Sequence, residues 1–413
     1  MRIVSGREAA ELIEQLAARD AHLEAVAPKV RAIVNDVRRH GDRALRKYSA
    51  KWDGLGATSV IRVSQAHMAK CWESLAPRLR DSLKHAARNI RRFCELQKPR
   101  SWNRTYDGIS LGQLVRPLGS VGCYVPGGRY PLVSTVLMTV IPAQVAGVRH
   151  IRVVSPQPSA EVMGAAAMLG VSEFYRVGGA QAIAALAYGT ESVPRVDKIV
   201  GPGNSYVTAA KKLVSFDCAI DFLAGPTEAL ILSDSGDAEY IAADLVAQAE
   251  HDVETLSLMI TTSRKLVRSV EDAVVRLAEG IPTAKESLRK RGAIFIASSR
   301  EQAREWANRL AAEHITVDKD DLPFIQNAGS VFVGHYSAQA AGDYASGPNH
   351  VLPTGGQARF RGGLSVLDFV KVITVQRLSG AGLRRLSPAI ECLAGAEGLP
   401  GHANSIRVRC GNA

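Results

Sequence analysis

Apolar positions change their period along the chain, and the change divides it. Up to about residue 110 they recur at helical spacing. Ser5 suits a helix start, with a first helix to about Arg19 and a second from His22 through Tyr48. Trp52-Asp53-Gly54 reads as a break, 60–63 as a short strand, and 65–96 as one or two helices interrupted at Pro77. From about residue 117 short Val- and Ile-rich runs alternate with helical patterns. Strands are expected at 151–154, 174–177, 198–200 and 219–222, with helices at 162–169, 180–188 and 205–214. The alternation then restarts, with strands at 229–232, 256–260, 293–296, 315–317 and 330–333. The helices between them are expected at 238–250, 264–277 and 300–311. After about Arg361 a short tail holds a helix near 387–394.

Strands separated by helices build a parallel sheet with helical layers. Two such sets imply an α/β chain with two Rossmann-like parallel-sheet domains and a cleft between them, plus small helical N- and C-terminal segments. With 413 residues, each domain is large enough to bury a core. No run of about 18 apolar residues would span a membrane, and the N-terminus lacks an apolar signal core, so a cytoplasmic protein is expected. The six cysteines (Cys71, Cys94, Cys123, Cys218, Cys392 and Cys410) form no Cys-x-x-Cys pair. A metal here would therefore use His, carboxylate or amide ligands. The formal net charge of +11 is spread over helical runs without a recognition motif, so it reads as a solvated basic surface and no nucleic-acid partner is expected.

The loops carry the candidate chemistry. Val121-Gly122-Cys123-Tyr124-Val125-Pro126-Gly127-Gly128, Gly178-Gly179-Ala180-Gln181 and Gly201-Pro202-Gly203-Asn204 each lead into a helix, and Ala224-Gly225-Pro226-Thr227-Glu228 leads into a strand. Glycine lets backbone approach a ligand, and helix N-termini favour phosphate. A pyrophosphate-bearing cofactor fits such loops, although the usual Gly-x-Gly-x-x-Gly dinucleotide fingerprint is absent. Gln248 and His251, three apart at the end of the 238–250 helix, share a face and suit two corners of a metal site. The same spacing also occurs at ordinary solvated helix ends. Glu313-His314 pairs a carboxylate with an imidazole ahead of a strand, a combination suited to acid–base work or to a polar strand edge. Asp343 and His350 lie in one turn-rich loop, and Glu397 and His402 in the tail.

On these residues the sequence resembles the histidinol dehydrogenase family. The motifs are 121–128, 134–138, 178–193, 198–204, 248–251, 312–314 and 343–354, and the resemblance runs from about Arg116 to the C-terminus and more weakly through the N-terminal part. The resemblance implies oxidation of L-histidinol through L-histidinaldehyde to L-histidine with two NAD, the last step of histidine biosynthesis. It implies one zinc per subunit on Gln248, His251, Asp343 and His402, the last supplied by the partner's tail, and so a homodimer with shared active sites. It further implies cofactor contacts at Tyr124, Gln181 and Asn204. Glu313 and His314 would be the acid–base pair, His314 for the alcohol proton and an ionised Glu313 for the water. Substrate contacts fall on Thr227, Gln248, His251, His314, Asp343, His350, Glu397 and His402.

The chain departs from the family pattern at Arg129-Tyr130, where a small residue or Thr and then Ala is common, and at Thr227, where Ser is frequent. A related dehydrogenase of another small polar alcohol is the alternative. The expected organisation is a helical segment at 1–21, a first α/β domain from 22–118 and 228–363 carrying the zinc and catalytic residues, a second at 119–227 carrying the NAD loops, and a dimerisation tail at 364–413.

Overall fold

The computed structural model describes residues 1–19, 23–56, 58–127 and 131–411. Arg129, Tyr130 and the expected 21/22 boundary lie outside these described residues. The chain opens with β1 (Arg2–Ser5) and α1 (Gly6–Ala17), whose buried Ala9, Ile13 and Ala17 repeat every four residues on one face. α2 (Ala27–Trp52) bends at Gly41, where φ is +50°. β2 (Arg62–Val63), α3 (Gln65–Ser74) and α4 (Pro77–Gln97) follow. Ser64 caps α3, and Pro77 stands at the start of α4, where an N–H has no helical acceptor anyway. β3 (Trp102–Tyr106) and β4 (Ile109–Pro117) form a hairpin across Asp107-Gly108, both in the left-handed region that a tight two-residue turn requires.

The first parallel sheet is then laid down by β5 (Ser120–Tyr124), α5 (Val133–Ala146), β6 (His150–Val154), α6 (Ala160–Met168), β7 (Glu173–Tyr175), α7 (Gly179–Tyr188), β8 (Lys198–Val200), α8 (Ser205–Val214) and β9 (Ala219–Ile220). Its order is β2-β7-β6-β5-β8-β9, parallel except where β2 joins β7 antiparallel. α5 and α7 are buried nearly all round, as expected of helices covered on both sides. α2 packs on α7 and α8, α3 on α6, and α4 on α5. The long amphipathic helices of the N-terminal part thus form an outer layer on this sheet. The expected grouping of 22–118 with 228–363 differs from this packing, because helix periodicity says which face is apolar but not which sheet receives it.

The second parallel sheet comes from β10 (Glu228–Leu232), α9 (Ala238–Ala249), β11 (Leu256–Thr261), α10 (Arg264–Leu277), α11 (Pro282–Arg291), β12 (Ala293–Ile296), α12 (Arg300–Leu310), β13 (His314–Val317), β14 (Ser330–Val333) and α13 (Gln339–Tyr344). Its order is β1-β12-β11-β10-β13-β14, all parallel. The first four-residue strand of the chain is therefore an edge of this sheet, with Val4 opposite Phe295. The expected small helical N-terminal segment is a strand and a helix. The tail begins with β15 (Val370–Leu378), antiparallel on β4 over nine residue pairs, and ends in α14 (Gly380–Ala396) and α15 (Pro400–Cys410). The resulting β15-β4-β3 sheet leaves Trp102, Tyr106, Val372 and Ile373 exposed, and α14 and α15 expose Leu393 and Val408. Among the described residues no helix is long and apolar enough to cross a membrane.

Candidate active site

A cavity of about 840 Å³ opens at the carboxyl ends of the first sheet's strands, the usual ligand position in parallel α/β folds. Tyr124 ends β5, Gly179 and Gln181 open α7 after β7, and Asn204 precedes α8 after β8; all line the cavity. The three expected cofactor contacts, far apart in sequence, therefore share one wall. Asn204 Oδ1 accepts from the N–H groups of Tyr206 and Val207 at 3.1 Å, so the cap uses its carbonyl and leaves its amide nitrogen for a ligand. Tyr124 Oη accepts from Gly179 N at 3.1 Å. Gly201 has φ of +114°, and a Cβ there would overlap the Tyr124 carbonyl, so this turn needs glycine.

Several residues of this cavity went unread in the sequence. Asp53, taken only as part of a break, is buried and accepts from Gly178 N and Gln181 Nε2, both at 3.1 Å. Burial raises its carboxyl above the usual range against these donors. Lys29, Lys51 and Trp52 join the lining from α2. Beneath the Gly201 loop, buried Lys211 pairs with Asp221 and donates to the Gly201 carbonyl at 3.1 Å, while Asp221 Oδ2 accepts from Gly201 N at 2.8 Å. A paired ion at this depth holds the loop shape.

The acid–base candidates lie at the opposite end of the second sheet's strands. Glu313 precedes β13 and His314 begins it, between β10 and β14, and both are buried rather than at a polar strand edge. Glu313 Oε2 accepts from Glu228 N at 3.0 Å and lies 3.8 Å from His314 Nδ1. His314 Nε2 is 3.2 Å from Asp343 Oδ1, and its ring stacks on Phe332 with centroids 5.8 Å apart. Gln248 Nε2 donates to Asp343 Oδ2 at 3.1 Å. His350 Nδ1 donates to the Asp343 carbonyl at 2.8 Å, with Nε2 3.4 Å from Thr135 Oγ1. Glu228, also unread in the sequence, is gripped by Arg19 through a bidentate pair at 2.5 and 2.6 Å and accepts from Gly355 N at 2.8 Å. Thr227 adjoins it, its carbonyl accepting from Leu256 N.

Charges in this pocket are coupled. Burial pushes the Glu313 carboxyl up to about 8, against the pull of His314 and the Glu228 N–H. Desolvation thus works against the expected ionised form of Glu313, while His314 and the Glu228 N–H favour it. Burial opposes charge on His314, yet the Glu313 and Asp343 carboxylates hold its basicity above the ordinary value. Burial also works against ionised Asp343, but the His314 hydrogen bond and nearby His350 and His251 keep it below the usual range. Burial lowers His350. Asp244, one turn before Gln248, is raised to about 6 by burial.

The metal reading can be tested on orphaned atoms. α9 ends at Ala249, so Gln248 stands in its last turn and His251 just beyond, its N–H 3.2 Å from the Gln248 carbonyl. Gln248 Oε1 is buried with no hydrogen-bond partner. An amide oxygen without a partner at this depth is costly unless a ligand meets it. The oxygen and nitrogen donor set of Gln248, His251 and Asp343 fits zinc. Among the described residues no group of three or more His, Cys, Asp and Glu side chains could hold a metal. A site that takes a glutamine and one ligand from another subunit has only two such residues within the chain. Glu397 and His402 sit at the junction of α14 and α15, both exposed, with their backbone N–H groups bonded locally to Leu393 and Leu399 carbonyls.

Comparison with known proteins agrees with these motifs. The family model described as histidinol dehydrogenase matches residues 16–410. The chain is similar to histidinol dehydrogenase of Methanothermobacter thermautotrophicus, 46% identical over 98% of this chain and 97% of that protein. It is similar to that of Aquifex aeolicus, 44% identical over 97% and 96%. A crystal structure of histidinol dehydrogenase from Elizabethkingia anophelis superposes with a TM-score of 0.94 at 34% identity, covering 99% of this chain and 98% of that one.

Proposed function

The chain belongs to the histidinol dehydrogenase family, and from that premise we propose how its own residues carry out the reaction. It is an NAD-dependent oxidoreductase of histidine biosynthesis that converts L-histidinol to L-histidine, and relatives so named along the whole chain do not favour the alternative alcohol. The observation that carries the assignment of roles is the buried chain Glu228 N, Glu313, His314, Asp343, Gln248.

Gln248, His251 and Asp343 would hold zinc, with His402 of a second copy of the chain completing the set. Bound there, zinc would help fix the pose of the substrate's imidazole and amine, and the 840 Å³ cavity would hold NAD as the hydride acceptor. In the first step His314 takes the alcohol proton; Asp343 and Phe332 hold its ring in place. In the second, Glu313 takes a proton from the water that adds to the aldehyde, one oxygen being fixed by Glu228 N. Thr227, His350 and the partner tail's Glu397 contact the substrate. Tyr124, Gln181 and Asn204 contact the cofactor. The organisation is a cytoplasmic homodimer in which the 364–413 tail crosses between subunits. The assay that tests this reading counts NADH formed per L-histidinol consumed. Two NADH and L-histidine are expected, and one NADH with accumulated aldehyde would refute the second step.

A further inference from the structure

α5 carries a proline in its interior, Pro142. In a helix the N–H of each residue bonds the carbonyl four residues before it, and proline has no N–H to give. The Met138 carbonyl therefore lacks its helical donor. Met138 is fully buried and α5 is covered nearly all round, so the carbonyl needs a donor from within the protein. Asn349 supplies it: its Nδ2 reaches the Met138 carbonyl at 2.6 Å. Asn349 Oδ1 accepts from Val351 N at 2.9 Å, which closes a turn and fixes which end of the amide faces α5.

Asn349 belongs to the segment that carries Asp343 and His350. That segment leaves α13, beside the second sheet, and lies against helices of the first. Asn89 of α4 donates to the Ala345 carbonyl at 2.9 Å. Gly347 has φ of +125°, and a Cβ there would come within 3.1 Å of the Asn89 carbonyl oxygen and 3.2 Å of Phe93 Cβ. Asn349 and His350 then meet α5 at Met138 and Thr135, three residues apart and so on one face. The His350 ring is held at Nδ1 by the Asp343 carbonyl at 2.8 Å, whereas Nε2 meets Thr135 Oγ1 at a long 3.4 Å. So loose a contact leaves Nε2 able to take a better donor.

We infer that Asn349 is a positioning residue: by standing in for the N–H that Pro142 lacks, it seats the adjoining His350 on α5, where His350 meets the substrate. The inference rests on His350 being a substrate contact. The test is steady-state kinetics with L-histidinol and NAD, and thermal melting, on the purified full-length protein supplied with zinc. The variants are Asn349→Ser, Pro142→Ala, the two combined, and His350→Ala. Serine can still accept from Val351 N but is too short to reach Met138. Asn349→Ser is expected to raise the KM for L-histidinol about tenfold, the effect of roughly one hydrogen bond, with the KM for NAD within about twofold and kcat largely kept. It should also melt lower, because a buried carbonyl loses its donor. Pro142→Ala gives that carbonyl a helical N–H, so it should raise the melting temperature more in the Asn349→Ser background than in wild type. The KM for L-histidinol of the double variant should stay raised, because satisfying the carbonyl does not restore the tether.

If that KM recovers together with the melting temperature, Asn349 only satisfies a carbonyl and the positioning role fails. If Asn349→Ser leaves the KM for L-histidinol unchanged while His350→Ala raises it, the Asn349 inference alone fails. If His350→Ala leaves it unchanged, the reading of His350 as a substrate contact fails and takes the inference with it. Equal gains in melting temperature from Pro142→Ala in both backgrounds would break the link to Pro142. Should Asn349→Ser not fold, the double variant carries the KM comparison, and a double variant that is also unfolded would overturn the inference by assigning Asn349 to the fold at large.

Discussion

In the first parallel sheet the candidate residues follow their strands: Tyr124 closes β5, Gln181 comes after β7 and Asn204 after β8. In the second they precede or begin them: Glu228 is the first residue of β10, Glu313 stands just ahead of β13 and His314 starts it. Both sheets are built from the same strand–helix repeat, yet one offers its carboxyl ends and the other its amino ends. The carboxyl ends of the second sheet are filled. Asp234 after β10 and Asp318 after β13 pair with Arg300, which also grips Asp321, while Thr261 and Thr262 bond Asp234. The chain runs from the carboxyl side of the first sheet straight to the amino side of the second through 221–227. Thr135 at the start of α5 meets His350 from the Asp343 loop. This connection brings the candidate cofactor end of one sheet beside the candidate acid–base end of the other.

The sharpest way to break the comparison is at the acid–base end. Glu313→Gln keeps the shape and an acceptor for Glu228 N, but cannot take a proton from water. Stopped-flow NADH formation should show the alcohol step nearly intact and the aldehyde step slowed by about 10²-fold or more. Equal slowing of both steps would remove the division of labour between Glu313 and His314.

Much of this arrangement was legible as repeat and loop, and little of it as contact. Val- and Ile-rich runs separated by helical periods identify buried parallel strands such as 198–200 and 293–296, and glycine-rich stretches mark where a ligand would approach. The β3-β4-β15 sheet was missed. Its hairpin signal, Asp107-Gly108, stands in the sequence, but Trp102–Tyr106 is exposed throughout and shows no apolar alternation. β1 falls inside the expected 1–21 helical segment without a strand of its own, because a four-residue edge strand has too short a pattern to stand out. Asp53 and Glu228 sit in otherwise ordinary turn and strand positions. Their roles depend on partners about 125 and 85 residues away, which no local pattern encodes.

A second test asks whether the amino end of the second sheet is complete within one subunit. Purified His402→Ala and Glu313→Gln proteins are unfolded and refolded together. With a shared site, random assortment makes about half of the dimers mixed, each with one intact site, so roughly a quarter of wild-type activity should return. A mixture shown to contain mixed dimers yet no more active than the separate mutants would place His402 in its own subunit's site. At the cofactor end, Gln181→Ala should raise the KM for NAD about tenfold, the loss of roughly one buried hydrogen bond, with kcat largely kept. A fall in kcat at unchanged KM would move Gln181 from cofactor binding to chemistry.

The smallest expected effect on catalysis is the most discriminating for the two-ended picture. Arg300 reaches Asp234, Asp318 and Asp321 at the filled end, and Asp321 is almost wholly buried with Arg304 as its other partner at 2.8 Å. Arg300→Ala leaves Asp234 and Asp318 without this cation and Asp321 with one partner instead of two. Partly buried carboxylates that lose a bidentate partner cost stability, here about 3 kcal/mol, visible as a lower denaturant midpoint with an unchanged slope. The reaction should not notice, because Glu313 and His314 lie at the far end of the same strands and β13 keeps its pairing with β10 and β14. Below the unfolding range, kcat and both KM values should stay within about twofold of wild type, since a surface well away from the transition state contributes nothing to its binding. A folded Arg300→Ala protein with kcat reduced tenfold would show that the carboxyl end of the second sheet takes part in the reaction, and the contrast between the two sheets would fall.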